Sequence, residues 1–131
     1  MKFLGRGLSK GISSGPLLIT RDPISFFGGV DPKTGIVIDR WHPMYGKGLK
    51  GNVLVLPRSK GSTVGSYVIY SLSRYCVAPS AMIIRDHDIL IGSGCIIASI
   101  PLVRLEPSDW ELLTEYNSAI VNGYEGYVEV D

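Results

Sequence analysis

A chain of 131 residues with 45% hydrophobic and 19% charged side chains has enough apolar material for one packed core and too little net charge for a disordered chain. Thirteen basic against twelve acidic side chains leave a formal net charge of +1, without the basic excess that drives non-specific nucleic-acid binding. No stretch approaches the roughly 20 apolar residues of a membrane span, and MKFLGRGLSKG breaks with Gly and Lys before a signal-peptide apolar region can form, so a soluble, cytoplasmic protein is expected.

Sixteen glycines and eight prolines predict short elements joined by tight turns, and residues 1–131 read as a single domain. Gly5-Arg6-Gly7 with Lys10 matches only part of a GxGxxG fingerprint, with no strand expected before it, which argues against a dinucleotide site. Leu17 to Thr20, Ile24 to Phe27 and Gly35 to Asp39 are brief runs rich in Ile, Val and Phe, bounded by Gly, Pro or Asp, and read as strands. Asn52 to Leu56 is a continuous apolar run closed by Pro57, the pattern of a strand buried on both faces. From Val64 to Tyr75, apolar Val64, Val68, Leu72 and Tyr75 recur at steps of four, four and three, which stacks them on one helical face.

Ala81 to Ile84, Ile89 to Ile91, Cys95 to Ser99 and Leu102 with Val103 continue the strand pattern. Ser108-Asp109-Trp110-Glu111 fits a capping box opening a second helix that runs to about Tyr116. The alternating Tyr127 to Val130 reads as an edge strand. Most strands follow one another without helical crossovers, so the expected fold class is an α/β sandwich or barrel, rich in β-structure, with about two main helices rather than a doubly wound sheet.

One stretch concentrates chemistry. Pro57-Arg58-Ser59-Lys60-Gly61-Ser62-Thr63-Val64-Gly65-Ser66 runs from a buried strand through a polar turn into a helix. A helix start presents unpaired backbone N–H groups and partial positive charge, which favours an anion, and Arg58 and Lys60 add two full charges. A capped helix with solvated bases accounts for one hydroxyl; it leaves two cations, three further hydroxyls and two glycines within ten residues unexplained. The order Lys60-Gly61-Ser62 is not that of a Walker A loop, which disfavours a nucleotide triphosphatase. Phe26-Phe27-Gly28-Gly29-Val30-Asp31-Pro32-Lys33-Thr34-Gly35 is the second candidate, either a plain hairpin or a place where Gly28 and Gly29 let the backbone approach a ligand. His42 reads as a polar loop residue and His87, between Asp86 and Asp88, as a solvated turn. Cys76 and Cys95 form no CxxC pair, cannot by themselves provide a four-cysteine zinc or iron–sulfur site, and are expected to be reduced, buried thiols.

GRGLSKG, PISFFGGVDPKTGIVID, LKGNVLVLPRSKGSTVGSYVIY, VAPSAMIIR and IASIPLV, in this order between residues 5 and 103, resemble the small subunit of the aconitase-X family, in particular its archaeal phosphomevalonate dehydratase branch. The resemblance implies a swivelling β/β/α domain docked on an aconitase-like large subunit as a heterodimer. It also implies dehydration of (R)-5-phosphomevalonate, a small phosphorylated hydroxy acid, to trans-anhydromevalonate 5-phosphate in a mevalonate route to isoprenoids. In this family the serine matching Ser62 is the proton acceptor and a [4Fe-4S] cluster belongs to the large subunit, where iron acts on the departing hydroxyl; this chain binds no metal of its own. Arg58, Lys60, Gly61, Thr63, Gly28 and Gly29 are the candidate substrate-binding residues. Alternatives that stay open are a cis-3-hydroxy-L-proline dehydratase subunit, a non-catalytic swivelling phosphocarrier, which needs a presented His, and a small-anion sensor.

Overall fold

The computed structural model describes residues 1–131. In chain order the elements are β1 (Lys2–Leu4), β2 (Arg6–Ser9), β3 (Ile12–Ile19), a kinked helical turn α1 (Phe26–Gly29), β4 (Val53–Leu56), α2 (Gly65–Arg74), β5 (Ala81–Ile84), α3 (Ile89–Ala98), β6 (Leu102–Arg104), α4 (Pro107–Leu112) with a 3-10 turn Leu113–Glu115, β7 (Ser118–Asn122) and β8 (Tyr127–Val130). The strands pair in the order β1-β8-β7-β3-β4-β5-β6-β2. Strand β3 belongs to two sheets: Ile12 to Pro16 pair antiparallel with β7, and Leu17 to Ile19 pair parallel with β4. The two ends of the ladder, β1 and β2, are separated in sequence by Gly5 alone, so the ladder folds back on itself and encloses a core.

Burial on both faces explains the apolar runs. All four residues of β4 and all four of β5 are fully buried. Val53, Val55, Ala81 and Ile83 point inward and join Phe3, Val103, Trp110, Val121 and Val128 between the sheets. Leu54, Leu56, Met82 and Ile84 point outward and are covered by Val68, Ile69 and Leu72 of α2 and Ile91 and Cys95 of α3. The result is three layers: antiparallel sheet, mainly parallel sheet, and helices. It bears out the expected β-rich α/β class.

Several elements differ from expectation. Strands β4, β5 and β6 are parallel and joined by α2 and α3, so helical crossovers are present after all. Ile89 to Ile91 and Cys95 to Ser99 are not strands but the two ends of α3 and its left-handed cap at Ser99. The apolar run there has no helical period because apolar residues occupy the solvent side of α3 as well as its packed side: Ile89, Ile96 and Ile97 are exposed, while Ile91 and Cys95 are buried. Asp88 caps it, its carboxylate accepting from the Ile91 N–H, and Gly94 lets α2 approach: a Cβ there would lie 2.9 Å from Ile69 Cδ1. Ile24 to Phe27 and Gly35 to Asp39 form only isolated bridges and the α1 turn. The helix at Ser108 starts instead at Pro107, with Glu106 as N-cap and no capping side-chain bond; Pro fits the first helical turn, where its missing N–H costs nothing. Strand β8 lies between β1 and β7 and is not an edge. A strand, β1, does precede Gly5.

Candidate functional site at the carboxyl edge of the parallel strands

Ligands of open α/β sheets bind beyond the carboxyl ends of parallel strands, and here the segments leaving β3, β4 and β5 meet at that edge. The segment after β3 lies alongside the segment after β4: the Ile24 N–H donates to Arg58 O at 3.3 Å and the Lys60 N–H to Ile24 O at 3.0 Å. The two glycine-bearing turns singled out in the sequence are thereby brought together. Gly61 has φ +89, and a Cβ on it would lie 2.9 Å from Ser25 Oγ, which itself donates to Phe27 O at 3.0 Å. Gly28 has φ +85 and is exposed, with open space where a Cβ would stand, while Gly29 is buried. The first half of the stretch is thus a kinked helical turn, and the second half, Asp31 to Gly35, is a tight turn flanked by the antiparallel bridge of Val30 with Val37.

Ser62 is exposed on this ledge. Its Oγ accepts from the Val64 N–H at 3.2 Å. The next three N–H groups, on Gly65, Ser66 and Tyr67, close tight turns onto the carbonyls of Ser62, Thr63 and Val64. The backbone N–H groups of Gly61, Ser62 and Thr63 have no acceptor in the chain, nor does α2 have a side-chain cap. Three consecutive open donors thus precede the positive end of a helix of ten residues, on the residues that include and flank Ser62.

The two cations of the loop differ. Arg58 Nη1 donates to Asp86 Oδ2 at 3.0 Å, and Asp86 also receives Arg85 Nε at 2.9 Å. The hydrogen bond from Arg85, reinforced by Arg58 and opposed by desolvation, holds the Asp86 carboxyl down at about 2. Lys60 is exposed and forms no salt bridge, and the Thr63 hydroxyl makes no hydrogen bond within the chain.

Two residues that sequence reasoning passed over organise this edge. Ser25 supports Gly61, as above. Asp88 joins the loop to the next helix: one oxygen accepts from both the N–H and the Oγ–H of Ser59 at 2.7 Å, the other from the Ile91 N–H at 2.9 Å. An Asp immediately before a long apolar run is an N-cap signal, and it was legible at Asp88.

The remaining candidates lie outside this edge or are held by their surroundings. His42 stands in a loop, as expected, but is buried; its Nδ1 accepts from the Met44 N–H at 3.0 Å, which places the proton on Nε2 facing Pro23 O at 3.2 Å. Neither nitrogen is left for chemistry, and the phosphocarrier's presented His is not found at the helix start, where Ser62 stands. His87 is exposed, as expected of a turn. Cys95 is buried and its thiol is pushed up by desolvation, whereas Cys76 is exposed after α2, contrary to expectation. No group of three or more His, Cys, Asp and Glu converges to hold a metal ion, and no helix is long and apolar enough to cross a membrane. No cleft of the chain includes Ser62, Lys60 or Gly28, so the ledge is an open surface.

The model of the aconitase X swivel domain family matches residues 2–130. The chain is 50% identical to the phosphomevalonate dehydratase small subunit of Methanosarcina mazei, over 99% of this chain and 91% of that one. It is 44% identical to the protein of the same name from Pyrococcus furiosus, over 99% and 96%. The crystal structure of Thermococcus kodakaraensis aconitase X in its holo-form contains a chain that superposes with a TM-score of 0.90 at 38% identity, covering 100% of this chain and 98% of that one. A matching family model over nearly all residues, relatives of like length and the same three-layer fold converge: the chain belongs to the aconitase X swivel domain family.

Proposed function

We propose that this chain is the small subunit of a hydro-lyase that dehydrates (R)-5-phosphomevalonate to trans-anhydromevalonate 5-phosphate, residues 1–131 acting as one swivel domain on an aconitase-like large subunit, with Ser62 as proton acceptor. The names of the relatives support the substrate over a hydroxyproline. The observation that carries the role of Ser62 is its hydroxyl's place among open backbone donors at the start of α2.

Dehydration removes a proton from the carbon next to the substrate carboxylate and a hydroxyl from the carbon beyond it. A serine hydroxyl in water is far too weak an acid to act as the base. An alkoxide at Ser62 Oγ would be stabilised by the Val64 N–H, by the open N–H groups of Gly61, Ser62 and Thr63, by the helix dipole and by the charge of Lys60. Lys60, the Thr63 hydroxyl and the donors that Arg58 keeps beyond the one given to Asp86 suit the anionic groups of the substrate, and Gly28, Gly29 and Gly61 let it lie against backbone.

The residues of this chain do not fit an iron–sulfur cluster: Cys95 lies in the core with its thiol against Met82 Sδ, and Cys76 stands apart after α2. The cluster is assigned to the large subunit. That subunit must also wall the site, because the Ser62 ledge is open. Exposed Phe27, Val64 and Tyr67 lie on the segments that form the ledge and supply an apolar rim suited to a protein partner.

The test is Ser62→Ala reconstituted with the large subunit. Loss of the dehydration rate by about 10²- to 10⁴-fold, with assembly intact, is expected of a general base. A loss of only a few-fold would overturn the role.

A further inference from the structure

The carboxyl edge of the sheet carries a second polar feature, displaced from the Ser62 loop. β6 ends at Arg104, β2 begins at Arg6, and the two residues are register partners in an antiparallel ladder. Directly opposed side chains issue from the same face of a sheet, and like charges so placed repel unless a counter-charge lies between them. Arg6, Arg104 and His87, the last from the turn after β5, line a cleft of about 430 Å³ with Leu4, Gly5 and Glu106.

The charges in this cleft do not balance. Arg104 is largely buried, with 17% of its side chain exposed; its Nη1 reaches Glu106 Oε1 at 3.3 Å, and its Nε is buried with no hydrogen-bond partner. Glu106 is 69% exposed, so that pair is screened by solvent. Arg6 forms no salt bridge. The other carboxylates of the neighbouring turn are occupied, Asp86 by Arg58 and Arg85, Asp88 by Ser59 and the Ile91 N–H. A buried donor without an acceptor is costly, and two guanidiniums facing one solvated carboxylate leave positive charge over.

We propose that this cleft is a binding site for a phosphoryl dianion, held by the guanidiniums of Arg6 and Arg104. A tetrahedral dianion offers several acceptor oxygens to planar, forked donors, which a single carboxylate does not. Free phosphate and a phosphomonoester end of the substrate share this chemistry; the second source rests on the dehydratase reading, the site itself does not.

The experiment titrates the full chain with inorganic phosphate and follows backbone amide resonances, with chloride at matched ionic strength as control. Saturable shifts at Arg6, His87 and Arg104, weakened about ten- to a hundredfold in Arg6→Met, are expected from the loss of a charged hydrogen bond. Arg6 is exposed, so this variant keeps the fold, and Arg104→Met serves as a second probe. Absence of saturable shifts, an equal response to chloride, a response confined to Gly61–Thr63, or unchanged affinity in Arg6→Met would each overturn the site. Within a supported site, a raised KM for 5-phosphomevalonate at constant kcat in the two-subunit Arg6→Met enzyme identifies the substrate as the source, and an unchanged KM identifies free phosphate.

Discussion

The starts of α2 and α3 occupy equivalent places at one sheet edge, each following a fully buried parallel strand, yet they are finished in opposite ways. At α3 the Asp88 carboxylate caps the helix and spends its second oxygen on Ser59, so the end is neutralised and tied to the neighbouring loop. At α2 no side chain caps the helix, and Gly61, Ser62 and Thr63 present open donors on the residues that include and flank the exposed Ser62. Asp88 ties the edge together, whereas the α2 start leaves its donors without acceptors in the chain. Asp88 also fixes Ser59, three residues before Ser62.

Substituting each end in turn is the strongest way to break this contrast. Ser62→Ala should leave the thermal midpoint of the chain essentially unchanged while removing most activity of the two-subunit enzyme, because an exposed hydroxyl at an uncapped end adds little to folding. A fall in thermal midpoint comparable with that of a cap mutant would erase the distinction.

The converse is Asp88→Ala. It deletes an N-cap and leaves the Ser59 N–H without its acceptor, costing about 1–3 kcal/mol in chemical denaturation. Activity should fall as well, through a displaced loop, with Asp88→Asn recovering part of both. Unchanged denaturation would show that the edge is not held by this carboxylate.

Smaller effects separate the two glycines. Gly61→Ala meets both a left-handed φ and Ser25 Oγ and should cost about 1–2 kcal/mol, whereas Gly28→Ala has free space and should cost about 1 kcal/mol from backbone conformation alone. Equal costs, read from paired denaturation curves, would remove the Ser25 contact from the account.

The smallest effect is the pH dependence of the Asp86 pair. Its carboxyl is lowered from 3.8 to about 2 in the folded chain, so the folded state takes up a proton less readily than the unfolded one. The stabilisation is present in full above about pH 4 and lost as pH falls towards 2. With about a third of the Asp86 side chain exposed, it amounts to no more than about 1 kcal/mol, and Asp86→Asn should flatten the stability profile only in that acid window.

Much of this edge could be read from residues in order. The runs Asn52 to Leu56 and Ala81 to Ile84 announce β4 and β5, because strands covered on both faces need no polar alternation. The period from Val64 to Tyr75 announces α2, and the hydroxyls and cations between Pro57 and Gly65 mark the loop. The helix α3 was hidden because Ile-Leu-Ile-Gly-Ser-Gly-Cys-Ile-Ile-Ala carries β-branched residues and glycines that disfavour an isolated helix; contact of Gly94 with Ile69 and the Asp88 cap outweigh that preference. The bridges at Ile24, Ile36 and Val37 looked like strands because they lie in short apolar runs bounded by turn residues, but only Ile24 and Val37 are buried, and each bridge faces a single partner and never extends into a ladder.

Composition, the doubly buried strands, the amphipathic α2 and the polar loop before it are determined by the sequence itself, since each depends on neighbours within a few residues. The meeting of Gly61 with Ser25, the grip of Asp88 on Ser59 and the facing of Arg6 with Arg104 join residues 36, 29 and 98 positions apart, and the closing of the ladder through Gly5 depends on such joins. No local preference encodes those pairs; they are decided when burial of the two cores brings the strand ends to one edge.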